Sequence, residues 1–482
     1  MGKNIKDYFI HDFTSDLSYH QHKTIKFNPG ICHYRDDLYL CCYRIFGRNK
    51  NIDDDTYNIN STNSVGELQR NLNHPWTSGD GIHPWKGDYD GTGFALLQIS
   101  KSNCKVYKNI NKIKITTRKN DGIDYFIGYQ SYLHGPTTSV NDSRIIKAGN
   151  NTFILYYNTW DTGKAKIGYS FLKMDYRTLE LTVYPRGYIC GIDFQDFEKN
   201  WSIWFFQGQL YMTYSLVFNQ PKQLKTNSQL GASTFWIKRI NNSELSSDCI
   251  ISNSFKPITP DKIPFLDGLK IKVANDKDVD LFTIIYLSPT TQSIPYRKIN
   301  IKGVKYLRYI GVGHLKFNTS SLLQITKTDW NTWFSKFIYK HLDIPKGHNP
   351  QRKLNEHYGG YIYLWFFYYF DLLIPEYSDT EKQKTIQNTI DKIEYKYGKI
   401  VHPGSSTFVQ TFPVGLERIG GSFNKDDFKD DDKYIISYGD YDSLCKLLIL
   451  PRNELDKLLE PHDLNEEVLI IDDIHNNTHD FL

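Results

Sequence analysis

The chain has 482 residues, 40% of them hydrophobic and 23% charged, which excludes intrinsic disorder and implies a folded protein with a sizeable core. Basic and acidic residues number 58 and 54, a net charge of only +4, and no arginine-rich stripe occurs, which argues against a nucleic-acid partner. Aromatic residues reach 15%, a bias that suits β-strands and, through Tyr and Trp, sugar-facing surfaces.

The first residues, MGKNIKDYFIHDF, lack the apolar run of a secretory signal, and Lys6 stands where the myristoylation pattern needs Ser or Thr. Residues 1–26 read as an N-terminal extension. One unit then recurs: an apolar segment, a short polar turn and a Tyr/Phe-rich run. Ile31–Tyr34 precedes residues 36–44 (DDLYLCCYR), and Arg144–Ala148 precedes 150–158 (NNTFILYYN). Trp201–Phe206 precedes 208–215 (GQLYMTYS), and Leu307–Phe317 precedes 359–368 (GGYIYLWFFY). Phe412–Ile419 precedes 432–439 (DKYIISYG). A self-similar β unit at long, uneven spacing predicts an all-β fold, a five-bladed β-propeller over residues 27–450, with each Tyr/Phe-rich run as the second strand of its blade. The alternative is a two-sheet sandwich, whose hairpins need not resemble each other.

Polar insertions interrupt the pattern. They fall at about 47–92, which holds two His-Pro-Trp tripeptides, and at about 325–357 and 374–400. Thr380–Tyr397 carries Ile386, Ile390 and Ile393 at helical spacing. Residues 451–482 read as a short helix and an acidic tail.

The seven cysteines are odd in number and irregular in spacing, with no CxxC. That argues against a metal site or a disulfide framework and for a reducing, cytoplasmic setting. The longest apolar stretch, Tyr361–Phe370, is too short to span a membrane. Lys, Asn, Ile, Tyr and Asp are abundant, as in AT-rich coding sequences, which suggests a viral or protist source.

In a propeller the first strand of each blade lines the central channel, so polar residues entering those strands share one pocket. The candidates are Asn141–Arg144, Glu198–Trp201, Gly311–His314 and Phe412–Leu416, with Ser437–Asp442 at the far end of the last hairpin. They supply the carboxylates and cations that glycosidic bond cleavage and phosphate binding need. Each has a plainer reading: Asp142 with Arg144 as a strand-end ion pair, Glu198-Lys199 as solvated turn charges, His314 as a satisfied core histidine. Gly311-Val-Gly313 is too short for a dinucleotide loop, and Asp161-Thr-Gly-Lys164 lacks the upstream glycine of a phosphate-binding loop.

The ordered motifs NDSRI, EKNW with LYMTYS, GVGH, YLWFFYYFD, FPVGLE and YIISYGDYD resemble the β-mannoside phosphorylase and mannosidase family of glycoside hydrolases and the related β-1,2-mannosyltransferases. The resemblance implies a five-bladed propeller and an inverting transfer of a β-linked, mannose-like hexose. It implies Asp142 as general acid, working through a sugar hydroxyl. Arg144 would bind phosphate or substrate, His314 would contact phosphate, and Lys199 and Asp442 match further polar positions of the family. Arg44, Asn200 and Tyr309 complete the implied substrate- and phosphate-binding set. No cofactor or metal is implied; the co-substrate would be inorganic phosphate or a sugar nucleotide, and the partner an oligosaccharide or glycan. Asn141 and Ser143 depart from the family's Glu and Pro and alter the surroundings of the acid. A non-catalytic propeller that binds glycan or protein is the other reading.

Overall fold

Alternating runs of Tyr, Phe, Ile and Leu, broken at Asp, Asn and Gly, become strands and hairpins along the chain. The computed structural model describes residues 7–17, 24–47, 89–110, 113–115, 127–129, 132–134, 140–161, 164–184, 187–190, 200–207, 209–215, 230–237, 248–251, 270–273, 277–280, 285–318, 336–337, 361–374, 393–403, 411–421, 427–440, 444–463 and 466–471. Strand β1 (Phe9–Asp12) comes first. A meander of β2 (Thr24–Arg35), β3 (Leu38–Gly47) and β4 (Tyr89–Ile99) follows. β5 (Cys104–Asn109) extends β4, and β6 (Ile113–Ile115) crosses to the next sheet. β7 (Ile127–Tyr129) and β8 (Tyr132–His134) complete the first sheet.

The second meander is β9 (Asn141–Lys147), β10 (Thr152–Asp161) and β11 (Lys164–Met174), flanked by β12 (Leu181–Val183) and β13 (Gly187–Cys190). The third is β14 (Ser202–Phe206), β15 (Gln209–Ser215), β16 (Leu230–Ile237) and β17 (Asp248–Ile251). β18 (Lys270–Val273) and β19 (Lys277–Asp280) form a two-stranded ribbon. In the next sheet β20 (Ile285–Pro289) and β21 (Ile294–Ile301) both pair with the long β22 (Val304–Asn318), followed by β23 (Tyr361–Leu373) and β24 (Lys396–His402). The last sheet is β25 (Thr411–Arg418), β26 (Lys433–Asp440) and β27 (Leu444–Pro451), completed by the N-terminal β1 on β27. Helix α1 (Arg452–Leu458) buries Leu455 and Leu458, and β28 (Leu469–Ile470) adds in parallel to β24.

The packing runs around a ring. Leu40, Phe94, Ile145, Leu155 and Leu172 fill the space between the first and second meanders. Ile154, Ile167, Ile203 and Met212 join the second to the third. Trp204, stacked on Tyr211 at 4.7 Å, meets Tyr309 and Phe370 of the β22–β23 sheet. Val312, Trp365, Leu416 and Ile436 join that sheet to the last. Ile31, Cys41, Leu97 and Leu447 join the last sheet back to the first. Fully burying one such aliphatic or aromatic side chain contributes about 1.5–3 kcal/mol. A sandwich has one interface between two faces; here each sheet packs on the next and the last on the first, so the fold is propeller-like and all-β.

Four expectations are corrected. Five separate blades were expected, but the strands form four blade-like sheets, because the second and third meanders are hydrogen-bonded into one ten-stranded sheet. The join is the parallel pairing of β13 with β17, Tyr188–Cys190 against Asp248–Ile250. The GVGH motif lies on β22, the second strand of its sheet, and the 359–368 run on β23, the third; the inner strand there is the interrupted pair β20 and β21. The helix expected over Thr380–Tyr397 does not reach its end, since Lys396 and Tyr397 open β24 against Tyr368 and Tyr369; residues 380–392 lie outside the described residues. The extension expected over residues 1–26 contains β1, which belongs to the last sheet.

Candidate functional site

The inner strands β2, β9, β14 and β25 each form an edge of a sheet, and β2 packs against both β9 and β25. Their N-terminal ends are irregular. The β2–β3 register shifts between Phe27 and Gly30, the β9–β10 register shifts at Tyr156/Asn158, and the β25–β26 register shifts between Pro413 and Gly415. Such bulges turn a strand and re-aim its side chains. Asn28, Asp142 and Asn200 adopt left-handed backbone there, with φ of 51°, 48° and 70°. Asn and Asp tolerate that region better than other non-glycine residues. Gly30 lets β2 reach β9: a Cβ there would lie 2.9 Å from the Ser143 carbonyl oxygen and 3.2 Å from the Arg144 Cα.

These three residues meet around Arg144. The Asp142 carboxylate, 4% exposed, accepts at Oδ1 from Asn28 Nδ2 at 2.9 Å and from Arg44 Nη1 at 3.2 Å. The Arg44 guanidinium also lies over the Phe27 ring. Arg144, 1% exposed, donates from Nη1 to the Asp142 carbonyl at 2.9 Å, from Nη2 to Asn200 Oδ1 at 3.0 Å and from Nε to the Thr290 carbonyl at 2.5 Å. Its guanidinium lies 5.7 Å from the Phe412 ring centroid. The Thr290 hydroxyl lies 2.6 Å from Nδ1 of His314, whose ring packs on Phe412 and Tyr363. The Ser143 hydroxyl, which stands where the family pattern implied by the motifs has Pro, shares a 2.5 Å hydrogen bond with Thr92 and so fixes this turn.

The structure therefore brings together Arg44, Asp142, Arg144, Asn200 and His314. Tyr309 does not join them. Its hydroxyl donates to the Phe205 carbonyl and its ring stacks on Phe370, in the core between sheets, because strand alternation turns it to the face that packs on β14. Lys199 and Asp442, and the side chain of Asn141, lie outside the described residues.

Sequence reading missed Asn28 and the buried tetrapeptide Thr290–Ser293 in the break between β20 and β21. Gln292 Nε2 donates to the Ile31 carbonyl at 2.9 Å and the Leu416 carbonyl at 2.7 Å, and Ser293 shares hydrogen bonds with Ser202 and Tyr368. With the Thr290–Arg144 bond, this one segment ties all the inner strands together. The available signal was an unbroken polar run, TTQS, inside an otherwise apolar strand.

Burial lowers the proton affinity of the Arg144 guanidinium, and the nearby Asp142 charge acts the other way. Arg44 and Asn28 both donate to one Asp142 oxygen. The described cluster thus holds two guanidinium groups and one carboxylate, and the direct partners of the more buried guanidinium are neutral oxygens. Such a group favours an incoming anion. Among the described residues no cluster of His, Cys, Asp and Glu suits a metal ion, and no helix is long and apolar enough to cross a membrane. Cys32, Cys41, Cys42, Cys104 and Cys445 are buried free thiols.

No protein-family model matches the chain, and no curated protein does. Among solved structures it is similar to a mannose phosphorylase from Leishmania mexicana in complex with phosphate ion, at 11% identity and a TM-score of 0.39, over 96% of this chain and 93% of that one. It is similar to a beta-1,2-mannobiose phosphorylase from Listeria innocua in complex with beta-1,2-mannobiose, at 10% identity and a TM-score of 0.42, over 94% and 99% of the two chains. A GDP-Man-dependent mannosyltransferase from Leishmania mexicana matches at 10% identity and a TM-score of 0.35, over 93% and 90%.

Proposed function

We propose that this cluster is the active site of a carbohydrate-active enzyme that moves a β-linked, mannose-like hexosyl unit to or from an anionic co-substrate, inorganic phosphate or a sugar nucleotide. The observation that carries this reading is Arg144: a buried guanidinium whose direct partners are two backbone carbonyls and an asparagine oxygen, beside a carboxylate already paired with Arg44. One carboxylate, Asp142, serves both Arg44 and Arg144, and an arriving phosphate oxygen would supply further negative charge to the two guanidinium groups. The motif order seen in the sequence supports the same reading.

Asp142 is the proton-handling group. In the ligand-free site its Oδ1 accepts from Asn28 and Arg44. An anion bound beside Arg144 and Arg44 would offset their charge and favour protonation of Asp142, which suits an acid acting only when both substrates are present. The transfer would invert the anomeric centre, with the anion and the leaving oxygen on opposite faces of the sugar.

The test is to incubate purified protein with phosphate plus β-mannosides, with mannose 1-phosphate, and with sugar nucleotides, following consumption. Asp142→Asn should lower kcat on any substrate found by about 10²–10⁴-fold, the usual worth of a general acid. A variant within about threefold of wild type would remove Asp142 from the mechanism and leave a binding module.

A further inference from the structure

We propose that Thr92 and Cys42 are positioning residues for Asp142: from the first meander they clamp the neighbouring Ser143, and so hold the left-handed Asp142 where its carboxylate meets Asn28 and Arg44. This rests on the reading of Asp142 as the proton-handling group and deepens it. Strand alternation sets the face that carries the clamp. Leu40, Cys42 and Arg44 alternate along β3, and opposite them on β4 stand Leu96, Phe94 and Thr92. The first two of these cross-strand pairs belong to the core between the first and second meanders. The third, Arg44 with Thr92, reaches the entrance of β9, and there the contacts turn polar: Arg44 meets Asp142, and Thr92 meets Val140 and Ser143.

The Thr92 hydroxyl lies 3.0 Å from the Val140 carbonyl oxygen and 2.5 Å from the Ser143 hydroxyl. A carbonyl only accepts, and each hydroxyl has one proton to give. The Thr92 proton therefore goes to Val140, and Ser143 donates to Thr92. One threonine thus pins the chain on both sides of Asp142. A second strand holds the Ser143 carbonyl, which accepts from Cys42 Sγ at 3.4 Å. Burial pushes the Cys42 thiol up to about 12, so the sulfur keeps the proton it donates. Thr92, Ser143 and Cys42 are all 0% exposed, so water does not replace a bond that is lost. Between these anchors Asp142 has a φ of 48°, a conformation that persists where the surroundings over-determine it. Released from them, Asp142 would relax to ordinary strand backbone. Its carboxylate would then leave Asn28 and Arg44, and its carbonyl would leave Arg144 Nη1.

The experiment compares crystal structures and turnover of the full chain as wild type, Thr92→Val and Thr92→Ser. Thr92→Val keeps the branched shape and loses the hydroxyl; Thr92→Ser keeps the hydroxyl. In Thr92→Val, Asp142 should leave the left-handed region and its hydrogen bond to Asn28 should break, and both should persist in Thr92→Ser. On a substrate that the consumption assay identifies, Thr92→Val should lower kcat by about tenfold with KM within about twofold, the scale of one lost buried hydrogen bond. Thr92→Ser should restore kcat to within about threefold of wild type. Cys42→Ala should displace the Ser143 carbonyl in the same direction and to a smaller extent, because a thiol is a weak donor; an unmoved carbonyl removes Cys42 from the clamp. A packing role alone would lower stability while leaving Asp142 in place and kcat intact, and that result in Thr92→Val overturns the proposal. A displaced Asp142 with unchanged kcat overturns it too, where Asp142→Asn is inactive. If Thr92→Val does not fold, Ser143→Ala removes the same hydrogen bond from its other end. If wild type and Asp142→Asn turn over alike, the active-site reading fails, while the position of Asp142 in Thr92→Val still decides the clamp.

Discussion

Replacing Arg144 by Met tests the anion site through stability alone, without a known substrate. The change strands the three acceptors that the guanidinium now satisfies, the carbonyls of Asp142 and Thr290 and the Asn200 side-chain oxygen. Each orphaned acceptor costs about 1–3 kcal/mol. Against this, the variant no longer desolvates a cation, a penalty of several kcal/mol, so the ligand-free thermal midpoint should move little. The ligand response should move a great deal. At a phosphate concentration of about 100 Kd a site that binds only the folded state adds about 2.7 kcal/mol. Unfolding entropy of about 2.1 cal/mol/K per residue over 482 residues comes to about 1 kcal/mol/K, so wild type should gain about 2–3 °C. Scanning calorimetry in phosphate against chloride at matched ionic strength reads this directly. Arg144→Met should gain less than about 0.5 °C. A variant that keeps the full phosphate shift would refute the assignment of Arg144 to the anion.

Gln292→Ala removes two hydrogen bonds through which Gln292 ties the inner strands β2 and β25, at Ile31 and Leu416. It should cost about 2–4 kcal/mol and lower the midpoint by a few degrees, and an unchanged midpoint would show that the tetrapeptide does not bind the ring together. Burial depresses the His462 pKa from 6.5 to about 4 in the folded protein, and its Nδ1 accepts from the Ile400 amide. The unfolded chain takes up that proton first as pH falls, so stability present above about 6.5 should decline between about 6.5 and 4, by roughly 3 kcal/mol at most. His462→Gln should flatten that slope in urea titrations, and an equal slope in the variant would contradict the burial argument. Deleting residues 1–12 removes β1 from β27; the exposed edge should lower the midpoint and promote self-association, read by light scattering.

Much of the fold was legible because hairpin chemistry is local. Asp36 with positive φ and the Lys302-Gly303 pair, both in left-handed backbone, sit in two-residue turns that connect the strands on either side. The Tyr/Phe-rich runs became β3, β10, β15, β23 and β26. What the sequence did not disclose is pairing between distant edges. The β13–β17 contact that fuses two meanders joins short strands far apart in the chain, and no local pattern encodes which edge meets which. The interrupted inner strand escaped notice for a related reason: Thr290–Ser293 interrupts the apolar pattern, so the motif after it was taken for the inner strand. Tyr309 lies on that same strand β22, where its ring stacks on Phe370 between sheets.

The site residues were legible where chemistry and backbone need coincide. Among the described residues seven non-glycine residues have positive φ; Asp36, Gln207 and Lys302 are in hairpin turns and Leu179 is in the connection to β12. The other three lie on or beside inner strands, Asn28 at the register shift within β2, Asp142 at the start of β9 and Asn200 just before β14, and bond to one another through Arg144 or directly. A left-handed residue at a strand entrance costs energy that a regular strand would not incur, and such strain persists where the surroundings over-determine it. Here the surroundings are visible: Gly30 admits the Arg144 backbone, and at Gly439 any Cβ would collide with the Asn28 side chain. An Asn or Asp at these positions meets both demands, tolerance of the backbone and a polar group aimed at the axis. That is why Asn28-Pro29-Gly30, Asn141-Asp142-Ser143 and Asn200-Trp201 share a signature although they share no motif. The three left-handed residues and the guanidinium groups of Arg44 and Arg144 thus lie in one hydrogen-bonded cluster.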